Sequence, residues 1–156
     1  MDILWGAWVR EIILNEKGQL ADIIGIYDEI WKEKKGDFPF FTDLRVVLAC
    51  QAEVAEFHQT FKATLNIIDL AGISILSVEE LISINEGDSP FRWYVTYEFK
   101  DVEIPEPGYY ELSILIEGQF KQRIPLWVIT PKMIIHDPEK DSITESWPED
   151  YQEERQ

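Results

Sequence analysis

The sequence predicts an all-β protein. The expected form is a two-layer antiparallel β-sandwich of about eight strands, immunoglobulin-like or C2-like, followed by an acidic C-terminal tail. Three observations lead there. Apolar and polar residues alternate at period two through several segments, Leu44, Val46, Leu48 and Cys50 among them. Turn signals built from Gly, Pro, Asn and Asp recur between those segments. No segment sustains the apolar period of a long amphipathic helix.

Taken in order, Ile3 to Leu14 is apolar on both sides, and "NEKG" at 15–18 turns the chain, with Gly18 free to take a positive φ. Leu20 to Trp31 reads as one Ile-rich strand. "KEKKGDFPFFT" is a polar connection broken by Gly36 and Pro39. Leu44 to Cys50 and then Phe61, Ala63, Leu65 and Ile67 alternate as strands. "DLAG" at 69–72 leads into Ile73 to Ile84, where Glu79-Glu80-Leu81 leaves a helical turn as an alternative to a strand. "NEGDSP" at 85–90 is a loop. Phe91, Trp93, Val95, Tyr97 and Phe99 then share one face against Arg92, Tyr94, Thr96 and Glu98 on the other. That pattern describes a strand with one buried side.

"IPEPGYYELSILIEGQFKQRIPLWV", residues 104–128, reads as a hairpin. Tyr110, Leu112, Ile114 and Ile116 share a face on its first arm, and Phe120, Ile124, Leu126 and Val128 on its second. A three-residue loop closing on Gly118 is expected, because it sets Ile114 opposite Phe120 and Glu111 opposite Arg123. Gln122 then falls on the inner face near a rim. Pro125 cannot donate a ladder hydrogen bond and points to an edge strand.

The expected domain is residues 1–135, with a tail at 136–156. From Asp137 onward the chain is rich in acids and prolines without apolar periodicity. Trp147 and Tyr151, with Glu149 and Asp150 beside them, are the candidate partner-binding residues: aromatic anchors in an acidic setting.

The chain has 156 residues, and 46% of them are hydrophobic, enough for a packed core. It carries 30 acidic against 14 basic residues, a net charge of −16. That field repels phosphate backbones and anionic membrane surfaces, so neither nucleic acid nor membrane is an expected partner. An unidentified partner protein of basic character is. Cys50 is the single cysteine, set in an apolar run and expected to be an inert core thiol. The start lacks a basic, apolar leader and no apolar run is long enough to span a bilayer, so the expected location is cytoplasmic.

Catalytic signals are sparse. There are two histidines, His58 and His136, and no G-x-S-x-G elbow, P-loop or G-x-G-x-x-G. His58 is expected on the polar side of a strand. A zinc site lacks ligands. Asp69, Glu86 and Asp88 are the candidates for a C2-like calcium site, although acids in turns have backbone reasons to be there. No cofactor, metal or enzymatic activity is expected.

"GQLADIIGIYDEI", "DFPFFTDLRVVLAC", "TLNIIDLAG" and the closing hairpin carry a resemblance over residues 3–129. The sequence resembles a family of small bacterial β-sandwich proteins known only as a domain of unknown function. The resemblance implies the sandwich and no catalytic residue. The expected function is a non-enzymatic binding or adaptor module. The alternatives are an acidic decoy that occupies a basic, nucleic-acid-binding surface of a partner, and a small-molecule or sugar binder with exposed aromatics on one sheet.

Overall fold

The computed structural model describes residues 1–33, 35–84 and 92–130. The tail at 136–156, Phe91 and the 85–90 loop lie outside the described residues. The described residues form nine strands: β1 (Asp2–Leu14), β2 (Leu20–Tyr27), β3 (Glu29–Trp31), β4 (Phe40–Gln51), β5 (Thr60–Asp69), β6 (Ser74–Ser83), β7 (Arg92–Ile104), β8 (Gly108–Ile116) and β9 (Gln119–Ile129). They form a four-stranded sheet in the order β2-β1-β4-β7 and a five-stranded sheet in the order β3-β9-β8-β5-β6. All pairs are antiparallel except the parallel β3–β9 pair.

The core lies between the sheets. Trp8, Leu44, Val46, Leu48, Cys50 and Phe99 from one sheet meet Leu65, Ile67, Tyr110, Leu112, Ile114 and Leu126 from the other. Period-two alternation delivers these side chains to one face of each strand, and burying them is the main favourable term in folding. Trp93, Val95 and Tyr97 are half-buried and pack against this core, as their alternation implies. Residues 74–84 form no helix. Leu76 and Val78 stand opposite Ile67 and Leu65, and this pairing overrides the helical propensity of Glu79-Glu80-Leu81.

Strand β4 lies between β1 and β7, and β8 lies between β9 and β5. The chain changes sheet between β2 and β3, β3 and β4, β4 and β5, β6 and β7, and β7 and β8. This is an immunoglobulin-like arrangement. At the entry to β8 the Tyr110 hydroxyl donates to the Glu106 carbonyl at 2.6 Å, a tyrosine-corner contact.

Leu20 to Trp31 is two strands. The chain leaves the four-stranded sheet at Asp28 and joins the five-stranded one as β3. Trp127 N donates to Asp28 O at 2.7 Å and Lys32 N to Ile129 O at 3.0 Å, bracketing the short strand. β3 covers only the end of β9, so Pro125 sits where β9 has a single neighbour, which agrees with its lost donor.

The β8–β9 register differs from the expected one. The loop has two residues, Glu117 and Gly118, at φ 49° and 81°. Two successive positive φ values match a hairpin turn of the primed type. Ile116 then faces Gln119 and Leu115 faces Phe120. A register shift follows, so Ile114 faces Gln122, not Phe120. The shift restores the phase: Ile124, Leu126 and Val128 point inward while Phe120 stays exposed on the outer side. Glu111 faces Pro125, yet its carboxylate still reaches Arg123 Nε at 3.0 Å along a diagonal.

A Cβ added at Gly118 would meet nothing within 4 Å, so a substitution there costs backbone strain without collision. Gly118→Val is expected to lower stability by ~1 kcal/mol or more. An unchanged urea midpoint would contradict the left-handed loop.

Candidate functional site

Sequence candidates fare unequally. Trp147, Tyr151, Glu149 and Asp150 lie outside the described residues, as do Glu86 and Asp88. Asp69 is committed to its turn, its Oδ1 accepting from Ala71 N at 2.9 Å and Ile73 N at 2.8 Å. No group of three or more His, Cys, Asp or Glu side chains is placed to hold a metal among the described residues. His58 is not on the polar side of a strand. It sits in the turn before β5 at φ 67°, its amide donating to Ile84 O at 2.7 Å. Among the described residues no helix is long and apolar enough to cross a membrane.

Cys50 is fully buried, and burial pushes its thiol up to about 12. Only a thiolate attacks, so the native protein at pH 8 should react with an aromatic disulfide reagent about a thousandfold more slowly than the unfolded chain, from the pKa rise alone. Equal rates would show the thiol to be open.

The feature that sequence reasoning passed over is the outer side of the four-stranded sheet. Opposite residues of antiparallel neighbours share a face. Trp5, Ala49 and Tyr94 therefore form one row, Ala7, Val47 and Thr96 the next, and Ile26, Val9, Arg45 and Glu98 the third. All point away from the core.

Ala49 is small, and the Trp5 and Tyr94 rings meet across it with centroids 6.0 Å apart. Two rows along, Arg45 Nη2 pairs with Glu98 Oε2 at 2.8 Å. Val47 lies between these two bridges and is fully buried, as are Val9 and Ala49. β4 is thus buried on both sides, which its unbroken "VVLAC" run suits.

The rim of this cluster is open. Trp5 is 42% exposed, Tyr94 47% and Ile26 66%. Ile24 and Ile13 lie farther along β2 and β1 on the same side, opposite Glu11 and Asp22. Pairing of β1 with β4 ends at Val9–Arg45, so residues 10–14 pair only with β2 and form a two-stranded arm. Ile12, Ile13, Leu14, Leu20, Ile23 and Ile24 of this arm take no part in the core.

The five-stranded sheet also shows aromatics outward. Tyr109 and Trp127 meet edge-on at 4.8 Å, and the Arg123 guanidinium lies over Phe120 at 5.3 Å. That face carries charges too, the Arg123–Glu111 and Lys62–Glu79 pairs among them.

The molecule is an immunoglobulin-like β-sandwich with exposed apolar side chains on the outer side of its four-stranded sheet. The chain belongs to DUF6941, a family of unknown function, whose model matches residues 13–129. No curated protein matches it. The matched span takes in the last two residues of β1 and every later strand; the rest of β1, with Trp5, lies before it.

Proposed function

We propose that the protein is a non-enzymatic binding module that docks a partner protein of basic character on the outer face of its four-stranded sheet. The observation that carries this is the set of exposed apolar side chains Trp5, Tyr94, Ile26, Ile24 and Ile13 on the side of the sheet that faces away from the core, with the Arg45–Glu98 pair, Glu11 and Asp22 among them. Large exposed apolar patches are uncommon on proteins that act alone. The charge of −16 favours a basic partner through long-range attraction. A cytoplasmic location belongs to the same proposal, supported by a chain whose single cysteine precludes an internal disulfide.

The test is comparative. Ile24→Ser with Ile26→Ser should leave the melting temperature near that of the parent, because neither side chain is in the core. The same variant should lose a partner that the parent captures, while Phe120→Ser on the opposite sheet keeps it. Capture that survives the double change and fails with Phe120→Ser would move the site to the other face.

The acidic decoy is the second reading, favoured by the net charge. Asp22 and Glu98 belong to one sheet, and Glu29, Glu79 and Glu111 to the other, so the acids are spread over both rather than arrayed on one face. A decoy would be displaced by salt and insensitive to Ile24 and Ile26, the reverse of the result expected here.

A further inference from the structure

Each sheet has two edges, and three of the four edges are blunted. β3 has three residues. β6 carries Glu79 and Glu80. β7 carries Arg92, Glu98, Lys100, Asp101 and Glu103, with Asp101 at φ 53°. Short length, charge and backbone irregularity are the usual guards against strand pairing. β2 is the exception in length and charge: eight residues, "LADIIGIY", with no Lys or Pro and one charge, Asp22. Its irregularities, a register shift that leaves Ala21 unmatched opposite Ile13–Leu14 and a positive φ at Gly25, flank the regular stretch at residues 22–24.

Residues 20–24 form one side of the two-stranded arm. A two-stranded ribbon is marginal in water, and a third strand would relieve this. The backbone shows how the place is held. Ile23 N donates to the Asp22 carboxylate at 2.8 Å, so a side chain supplies the acceptor that a neighbouring strand would supply. Asp22 and Glu11 form no ion pair among the described residues, whereas the nearby cations are engaged: Arg45 with Glu98, and Arg10 over the Tyr27 ring at 5.1 Å.

We infer that β2 is the receiving edge for an extended segment of a partner protein, which adds as a strand with aliphatic side chains over Ile24 and Ile26 and a lysine or arginine at Asp22. The inference deepens the docking reading above and rests on it. The incoming carbonyl replaces the Asp22 carboxylate at Ile23 N, and the released carboxylate pairs with the incoming cation. Main-chain hydrogen bonds supply affinity and the alternate side chains supply selectivity. A second copy of this chain is the disfavoured occupant, because each copy brings a charge of −16 and another Asp22.

The probe is a blocked synthetic peptide, acetyl-Thr-Val-Thr-Val-Thr-Lys-Thr-amide. Added antiparallel, it sets its valines at Ile26 and Ile24 and its lysine at Asp22. With the full chain labelled with nitrogen-15, shift changes should concentrate on β1 and β2, and Ile23 amide exchange should slow at least tenfold at saturation. Glutamate in place of the lysine should weaken binding at least tenfold. Asp22→Asn, which keeps an acceptor and removes the charge, should narrow the gap between the two peptides and flatten the salt dependence. Shifts on β6 or β7, no binding at millimolar peptide, or equal affinity for both peptides would overturn the inference. So would a sedimenting dimer of the chain that Ile24→Lys dissolves. If the peptide fails while Ile24→Ser with Ile26→Ser still abolishes partner capture, strand addition is wrong and the docking face stands.

Discussion

Trp8→Ala should destabilise the protein by roughly 3–5 kcal/mol, the range for removing a fully enclosed large ring. Trp8 has no exposed surface. It stands on the inner face of β1, opposite Val46 of β4 and Tyr27 of β2, and meets Phe99 edge-on with centroids 6.5 Å apart. Its indole N–H crosses to the other sheet and donates to Pro125 O at 3.1 Å. Truncation therefore empties a volume between the layers and leaves a β9 carbonyl without its donor. Trp8→Phe separates the two losses, because it retains most of the ring and removes only the donor, and should cost less than half as much. Urea denaturation of both variants measures the difference. A Trp8→Ala protein within 1 kcal/mol of the parent would contradict this account of the core.

Gly6→Val should cost about 1–3 kcal/mol through overpacking. At Gly6 the two sheets come so close that an added Cβ would lie 2.5 Å from Ile124 Cδ1 and 2.7 Å from Leu48 Cδ2. Both are side-chain tips, which could yield in open surroundings. Here both residues are buried, and movement is resisted on every side. Trimming the obstacle should help, so Gly6→Val with Ile124→Val should be more stable than the sum of the single changes implies. A double-mutant cycle reads this coupling directly. Strict additivity would show that the strain is relieved elsewhere.

The strands of the sandwich were largely legible because a half-buried strand writes its burial into alternate letters. Leu44 to Cys50, Phe61 to Ile67 and Tyr110 to Ile116 all carry that signature. The exact register of the last hairpin was not legible. Glu117 adopts a positive φ that its side chain does not advertise, and the shift beyond Leu115 depends on matching inward residues across two arms. The break at Asp28 was hidden for a related reason: an Ile-rich stretch looks the same whether it stays in one sheet or crosses to another. The docking face was half visible. Ile3 to Leu14 read as apolar on both sides, which is an excess for a strand with one buried face. The aromatic acidic tail offered a plainer signal, and only the strand pairing shows that Trp5 and Tyr94 meet over Ala49.

The β3–β9 pairing and the Trp8–Pro125 bond have a consequence for how the chain is made. Trp8 and Pro125 are 117 residues apart. On a ribosome the first hairpin emerges long before the strand that completes the sheet beside β3. Until then Trp8 lacks its acceptor and β3 has no neighbour. Closure therefore waits for β9 to be synthesised, and such distant pairings place folding in the slow millisecond-to-second regime. During that interval the β2 edge belongs to an unfinished molecule rather than a completed domain.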